Sequence, residues 1–82
     1  MPYVKQASRE ELDEIVNHMK ELGIKADGDL NYILFKYCKY NIPPSYNNYK
    51  NFIGELNECG QEIRRRILSE YENEKIKENG DV

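Results

Sequence analysis

No proline interrupts residues 45–77, and Phe52, Leu56, Cys59, Ile63 and Ile67 recur there at spacings of three and four, the period of one long amphipathic helix. At about 1.5 Å per residue such a helix spans on the order of 40 Å, whereas a compact chain of 82 residues is roughly 30 Å across. It has to bend, overhang or be covered by another chain. The stripe drifts to Tyr71 and then fails, because Ile76 falls nearly opposite on an ideal wheel. The regular helix is therefore expected to break between residues 69 and 73. Residues 70–82 would form a polar tail holding at most one helical turn, supported by pairing of Glu74 with Lys77 and of Lys75 with Glu78 and stopped at Asn79-Gly80. Ser45, Asn47 and Asn48 are each able to cap the start of this helix, and Gly54 and Gly60 lie inside it, each costing about 1 kcal/mol relative to alanine. Gly60 lies toward the apolar stripe, so close approach of a neighbouring helix would account for it; Gly54 points elsewhere and has no such account.

Two shorter helices precede the long one. Residues 1–7 lack a helical period and are expected to be extended, with Tyr3 and Val4 free to pack. Ser8-Arg9-Glu10-Glu11 reads as a capping box, in which the Ser8 hydroxyl accepts from the Glu11 amide and the Glu11 carboxylate from the Ser8 amide. Leu12, Ile15, Val16, Met19 and Leu22 then form a narrow stripe, and Gly23 supplies a left-handed stop. Ala26-Asp27-Gly28-Asp29 is a polar turn with either aspartate able to cap the next helix. On that helix Leu30, Ile33, Leu34, Tyr37 and Cys38 make one stripe, and Tyr32 and Phe35 extend the apolar arc past half the circumference. Such a helix should be sandwiched. Ile42-Pro43-Pro44 ends it, since proline disfavours helical backbone at the preceding residue. The expectation is an all-α single domain over 1–82: a three-helix antiparallel bundle or hairpin with helices near 8–22, 29–40 and 47–69 and a polar C-terminal tail.

A chain this short buries only about 60% of its unfolded surface and has modest stability without a disulfide, a metal or a partner subunit. Cys38 and Cys59 form no CxxC pair and fall on apolar helix sides, where free cysteine acts as a small hydrophobe. No apolar signal-peptide core stands in the first thirty residues, and no run approaches the roughly 20 apolar residues of a membrane span. The expected location is the cytoplasm. A net charge of −3 disfavours nucleic acid and anionic membranes, and Lys36, Lys39 and Tyr40 offer only a weak version of a base-stacking surface. Of seven tyrosines, five lie between Tyr32 and Tyr49; tyrosine buries area while keeping a polar tip, which suits both half-wet cores and interfaces.

Three constellations carry candidate chemistry. Glu55, Glu58 and Glu62 share one face of the long helix, the arrangement by which helical enzymes present oxygen ligands to Mg²⁺. The bland reading is a solvated acidic face in which Glu62 pairs with Arg66. Arg65 and Arg66 with Tyr71 could hold a phosphate or nucleotide through planar guanidinium donors, against the alternative of surface pairing with glutamates. Tyr32, Phe35, Tyr40, Phe52 and Gly60 are the candidate interface. His18 borders the first stripe as a surface residue and activates no nucleophile.

Glu10-Glu11-Leu12-Asp13-Glu14 resembles the EExxE half of the metal-binding pattern in all-α nucleoside-triphosphate pyrophosphatases of the MazG type, but the ExxD half that follows in that family is missing from residues 27–43. Met1-Pro2-Tyr3, Gly28-Asp29-Leu30-Asn31-Tyr32, Arg65-Arg66 and the ending Tyr71-Glu72-Asn73-Glu74-Lys75-Ile76-Lys77-Glu78-Asn79-Gly80-Asp81-Val82 resemble a family of small uncharacterised prokaryotic and phage proteins, a domain of unknown function. That family's pattern often places proline where this chain has Glu70, which implies a helix break nearby; the resemblance implies a fold and supplies no catalytic residues. The expected function is a cytoplasmic interaction or regulatory module that is a homo-oligomer, most simply a homodimer, and needs no cofactor. The alternatives are a Mg²⁺-dependent nucleotide hydrolase using Glu55, Glu58 and Glu62, and a non-catalytic binder of a small anionic ligand at Arg65, Arg66 and Tyr71.

Overall fold

Three helices account for the regular structure of residues 3–82, which are the residues described by the computed structural model, and among them there is no strand. The fold is all-α. Two compact units meet at the double proline, Met1–Ile42 and Pro43–Val82.

In the first unit, α1 is Gln6–Leu22 and α2 is Gly28–Asn41. Helix α1 starts two residues before the expected capping box, and that box does not form. Lys5 is the N-cap, with extended backbone and no side-chain capping bond. The Ser8 amide donates to the Lys5 carbonyl at 3.0 Å, so Ser8 is already inside the first turn and its backbone cannot adopt the extended conformation a cap requires. The Arg9 Nε donates to the Val4 carbonyl at 3.0 Å, tying the lead segment to the same turn. Of the expected extended segment 1–7, Tyr3, Val4 and Lys5 are non-helical, Gln6 and Ala7 are helical, and Met1 and Pro2 lie outside the described residues.

The end of α1 follows the sequence. Gly23 sits at φ 67°, its amide donating to the Lys20 carbonyl at 3.0 Å, while the Ile24 amide reaches the Met19 carbonyl at 3.1 Å. This pair of bonds is a Schellman motif, and it needs a residue that tolerates left-handed backbone. Asp27 caps α2 by accepting from the Asp29 amide at 3.1 Å. At the far end Ile42 is extended, as the following Pro43 dictates.

In the second unit, Ser45 is the cap among the three candidates, its Oγ accepting from the Asn48 amide at 3.0 Å. The long helix runs 34 residues, beyond the expected end at 69. It consists of α3, Tyr46–Ile63, a π-helical turn, Arg64–Leu68, and α4, Ser69–Asn79. The irregularity expected between 69 and 73 is thus one turn earlier, and it widens the helix without ending it. Its local cause is Ser69, whose amide and hydroxyl both donate to the Arg64 carbonyl five residues back, the hydroxyl at 2.7 Å. Residues 70–79, expected as a mostly irregular tail, continue as helix, supported by the expected pairs of Lys75 with Glu78 (3.1 Å) and Lys77 with Glu74 (3.4 Å). Gly80, at φ 82°, follows the last helical residue, as Asn79-Gly80 led us to expect.

Candidate interaction surface and charged cluster

The π turn has a geometric consequence for the apolar stripe. Tyr49, Leu56 and Ile63 repeat every seven residues, and the next member would be Glu70; Phe52 and Cys59 would likewise lead to Arg66. One additional residue in the helix moves these places to Tyr71 and Ile67, both apolar, and brings Leu68 toward the same side. The extra residue keeps one seam on one side of the helix through residue 71. The clue in the sequence is a step of eight between Ile63 and Tyr71 where steps of seven came before; an ideal 3.6-residue wheel smooths it into drift.

This seam is open. Leu56 is 39% exposed, Ile63 47% and Ile67 65%, and no described residue is buried. Within the second unit, nothing outside the local helix backbone comes within 4 Å of where a Cβ on Gly60 would stand. Within the first unit, Tyr32, Phe35 and Tyr40 project from α2 at 62%, 69% and 68% exposure. Phe52, the remaining candidate contact residue, lies on α3 and is partly shielded.

Lysines lie over several of the tyrosines. Lys36 Nζ stands 5.3 Å from the Tyr32 ring centre, Lys39 5.5 Å from that of Tyr40, Lys50 5.8 Å from that of Tyr46 and Lys75 5.5 Å from that of Tyr71. Lys36 also donates to the Tyr32 hydroxyl oxygen at 3.0 Å, which holds the ammonium above its ordinary pKa.

Glu62 is the centre of the charged cluster. Its Oε1 accepts from Arg65 at 2.9 Å and from Arg66 at 3.2 Å. The Arg66 hydrogen bond is the main cause of a carboxyl held below the ordinary glutamate range; partial desolvation opposes it, and the Arg65 charge adds to the lowering. The expected pairing of Glu62 with Arg66 is present, and Arg65 donates to the same oxygen.

That engagement bears on both ligand readings. Glu55, Glu58 and Glu62 are all on α3, but among the described residues no three His, Cys, Asp or Glu side chains come together in a way that could hold a metal ion, and Glu62 already serves two guanidinium groups. Arg66 and Tyr71 border one shallow groove with Glu70, Glu74 and Lys77, whereas Arg65 is not part of it. Two carboxylates there balance two cations, and both walls belong to a single helix. Such a groove gives an anion little net field and no enclosure.

A family model described as a domain of unknown function, DUF6899, matches residues 1–82. The chain belongs to the DUF6899 family. No curated protein and no solved structure matches it. No helix among the described residues of this DUF6899 chain is long and apolar enough to cross a membrane.

Proposed function

We propose that this DUF6899 chain is a small cytoplasmic interaction module acting as one domain over residues 1–82, whose apolar helix surfaces are covered by a second copy. The observation that carries this reading is the open seam: Leu56, Ile63, Ile67 and Tyr71 lie along one side of a 34-residue helix, and the last three are 47%, 65% and 60% exposed. Contiguous apolar surface of this extent marks an interaction site. A partner subunit is one source of the added stability that a chain of this length needs. The two unpaired cysteines suit a reducing compartment. The aromatic side of α2 adds tyrosines of the kind enriched at interfaces.

Light scattering on the full chain across a micromolar dilution series tests the proposal. The expected result is a dimer mass that falls toward 9.7 kDa on dilution, with helicity falling alongside it. A 9.7 kDa species at every concentration, unfolding cooperatively at a midpoint independent of concentration, refutes it.

A further inference from the structure

Charge is segregated along the long helix. Before residue 55 its only charged residue is Lys50; Glu55, Glu58 and Glu62 follow, then Arg64, Arg65 and Arg66, then Glu70, Glu72 and Glu74. Over residues 50–74 the order is positive, negative, positive, negative, and reversing the helix about Gly60 brings opposite signs together at Lys50 with Glu70 and at Glu55 with Arg65; Lys75, Lys77 and Glu78 fall at or beyond the start of the reversed helix. Lys50 comes within one residue of the level of Glu70, and Arg65 comes level with Glu55. The opposition of Glu58 and Glu62 that results is offset by the two guanidinium groups Glu62 already carries. Parallel, in-register pairing does the reverse, setting three arginines against the same three and Glu55 against Glu55, and like-charge juxtaposition of this kind selects against a partner.

The apolar side obeys the same reversal. With the π turn shortening the second half by about one residue of rise, Ile53 comes level with Leu68, while Tyr49 comes within one residue of the level of Tyr71 and Leu56 within one of Ile63. Gly60 falls at the crossing, where a missing side chain lets two backbones approach and where the second unit leaves open space.

The geometry points to a second copy of this chain lying antiparallel on the long-helix seam and crossing at Gly60, with Arg65 of each copy beside Glu55 of the other. This inference rests on the self-association proposed above and adds its direction and register.

Lys50 and Asn57 are seven residues apart and share one helix face, so nitroxide labels at the two sites distinguish the arrangements. The full chain carries Cys38→Ser and Cys59→Ser with either Lys50→Cys or Asn57→Cys, and dipolar distances are measured between copies. An antiparallel crossing at residue 60 separates the position-50 labels by about 30 Å along the axis and the position-57 labels by about 9 Å. The expected result is a position-50 distance at least about 10 Å longer than that at position 57. Equal distances overturn the inference in favour of a parallel dimer, and a dimer with neither pair within range overturns the seam as the contact; both leave self-association standing. A monomer by light scattering overturns both readings. Should the cysteine-free background fail to associate, the unaltered chain decides: mixed dimers of ¹⁴N and ¹⁵N chains treated with a carbodiimide should link Lys50 of one copy to Glu70 or Glu72 of the other, and a dimer without such links overturns the inference.

Discussion

Replacing Ile63 by alanine should weaken self-association while leaving the helix intact. The substitution removes three carbons, about 2.4 kcal/mol of transfer free energy at roughly 0.8 kcal/mol each. Ile63 retains 47% of its surface in the single chain, so about half of that figure, near 1.1 kcal/mol, is available to a partner. A symmetric dimer contains the substitution twice, giving about 2 kcal/mol and a dissociation constant raised roughly thirtyfold. Alanine is the better helix former by a few tenths of a kcal/mol, so any loss of association cannot be assigned to weaker helix propensity. Sedimentation equilibrium over a dilution series measures the constant, with far-ultraviolet circular dichroism at the highest concentration as the control for helix content. A dissociation constant within threefold of the parent's would refute the claim that this seam is the contact surface.

Gly23→Ala should destabilise the first unit by about 1–2 kcal/mol, seen as a lower thermal midpoint. A Cβ there meets nothing within 4 Å, so the whole cost is left-handed backbone at φ 67°. Ser45→Ala should remove the cap on the Asn48 amide, cost about 1 kcal/mol and fray the start of α3, detectable as faster amide exchange at residues 46–49. The Glu62 carboxyl should titrate by nuclear magnetic resonance with a midpoint below the ordinary 4.5, and Arg66→Gln should move it back up. Because the folded pKa is the lower one, the stabilisation from this cluster is complete above about pH 4.5 and is lost as pH falls through the folded value. A midpoint at or above 4.5 in the parent chain would remove the cluster from the account.

The features legible in the sequence were those set by residues acting within one turn. Gly23, Asp27 and Ser45 end or start helices through bonds to neighbours two to four positions away, and the residue types requiring those bonds were plain. The pairs along α4 and that of Glu62 with Arg66 follow from helical spacing alone. The Ser8 capping box had the right residues, yet Lys5 started the helix earlier, and a backbone carbonyl three residues back satisfied the amide. The π turn was missed because its bond spans five residues, a period the 3.6-residue wheel does not contain. The break expected between residues 69 and 73 rested on Ile76 leaving the apolar stripe, whereas the irregularity is the π turn at Arg64–Leu68 and the helix runs on to Asn79. Of the trio Arg65, Arg66 and Tyr71, both arginines donate to Glu62, and Arg66 and Tyr71 border one groove.

Local capping and surface pairing do not by themselves hold such a chain. Each exposed lysine–glutamate pair contributes a few tenths of a kcal/mol, and each cap about 1 kcal/mol, against two interior glycines in α3 that cost about 1 kcal/mol apiece. Most helical stability in proteins comes from packing of an amphipathic face. On the proposed reading that packing is intermolecular, so helix order and association are one equilibrium, and the stability of the chain depends on its concentration. The π turn then acts on association as well as on local backbone: by keeping Ile67 and Tyr71 in line with Ile63, it lengthens the continuous contact available to a second copy. A regular α-helix of the same sequence would instead present Arg66 and Glu70 on the seam, where covering them would desolvate charge.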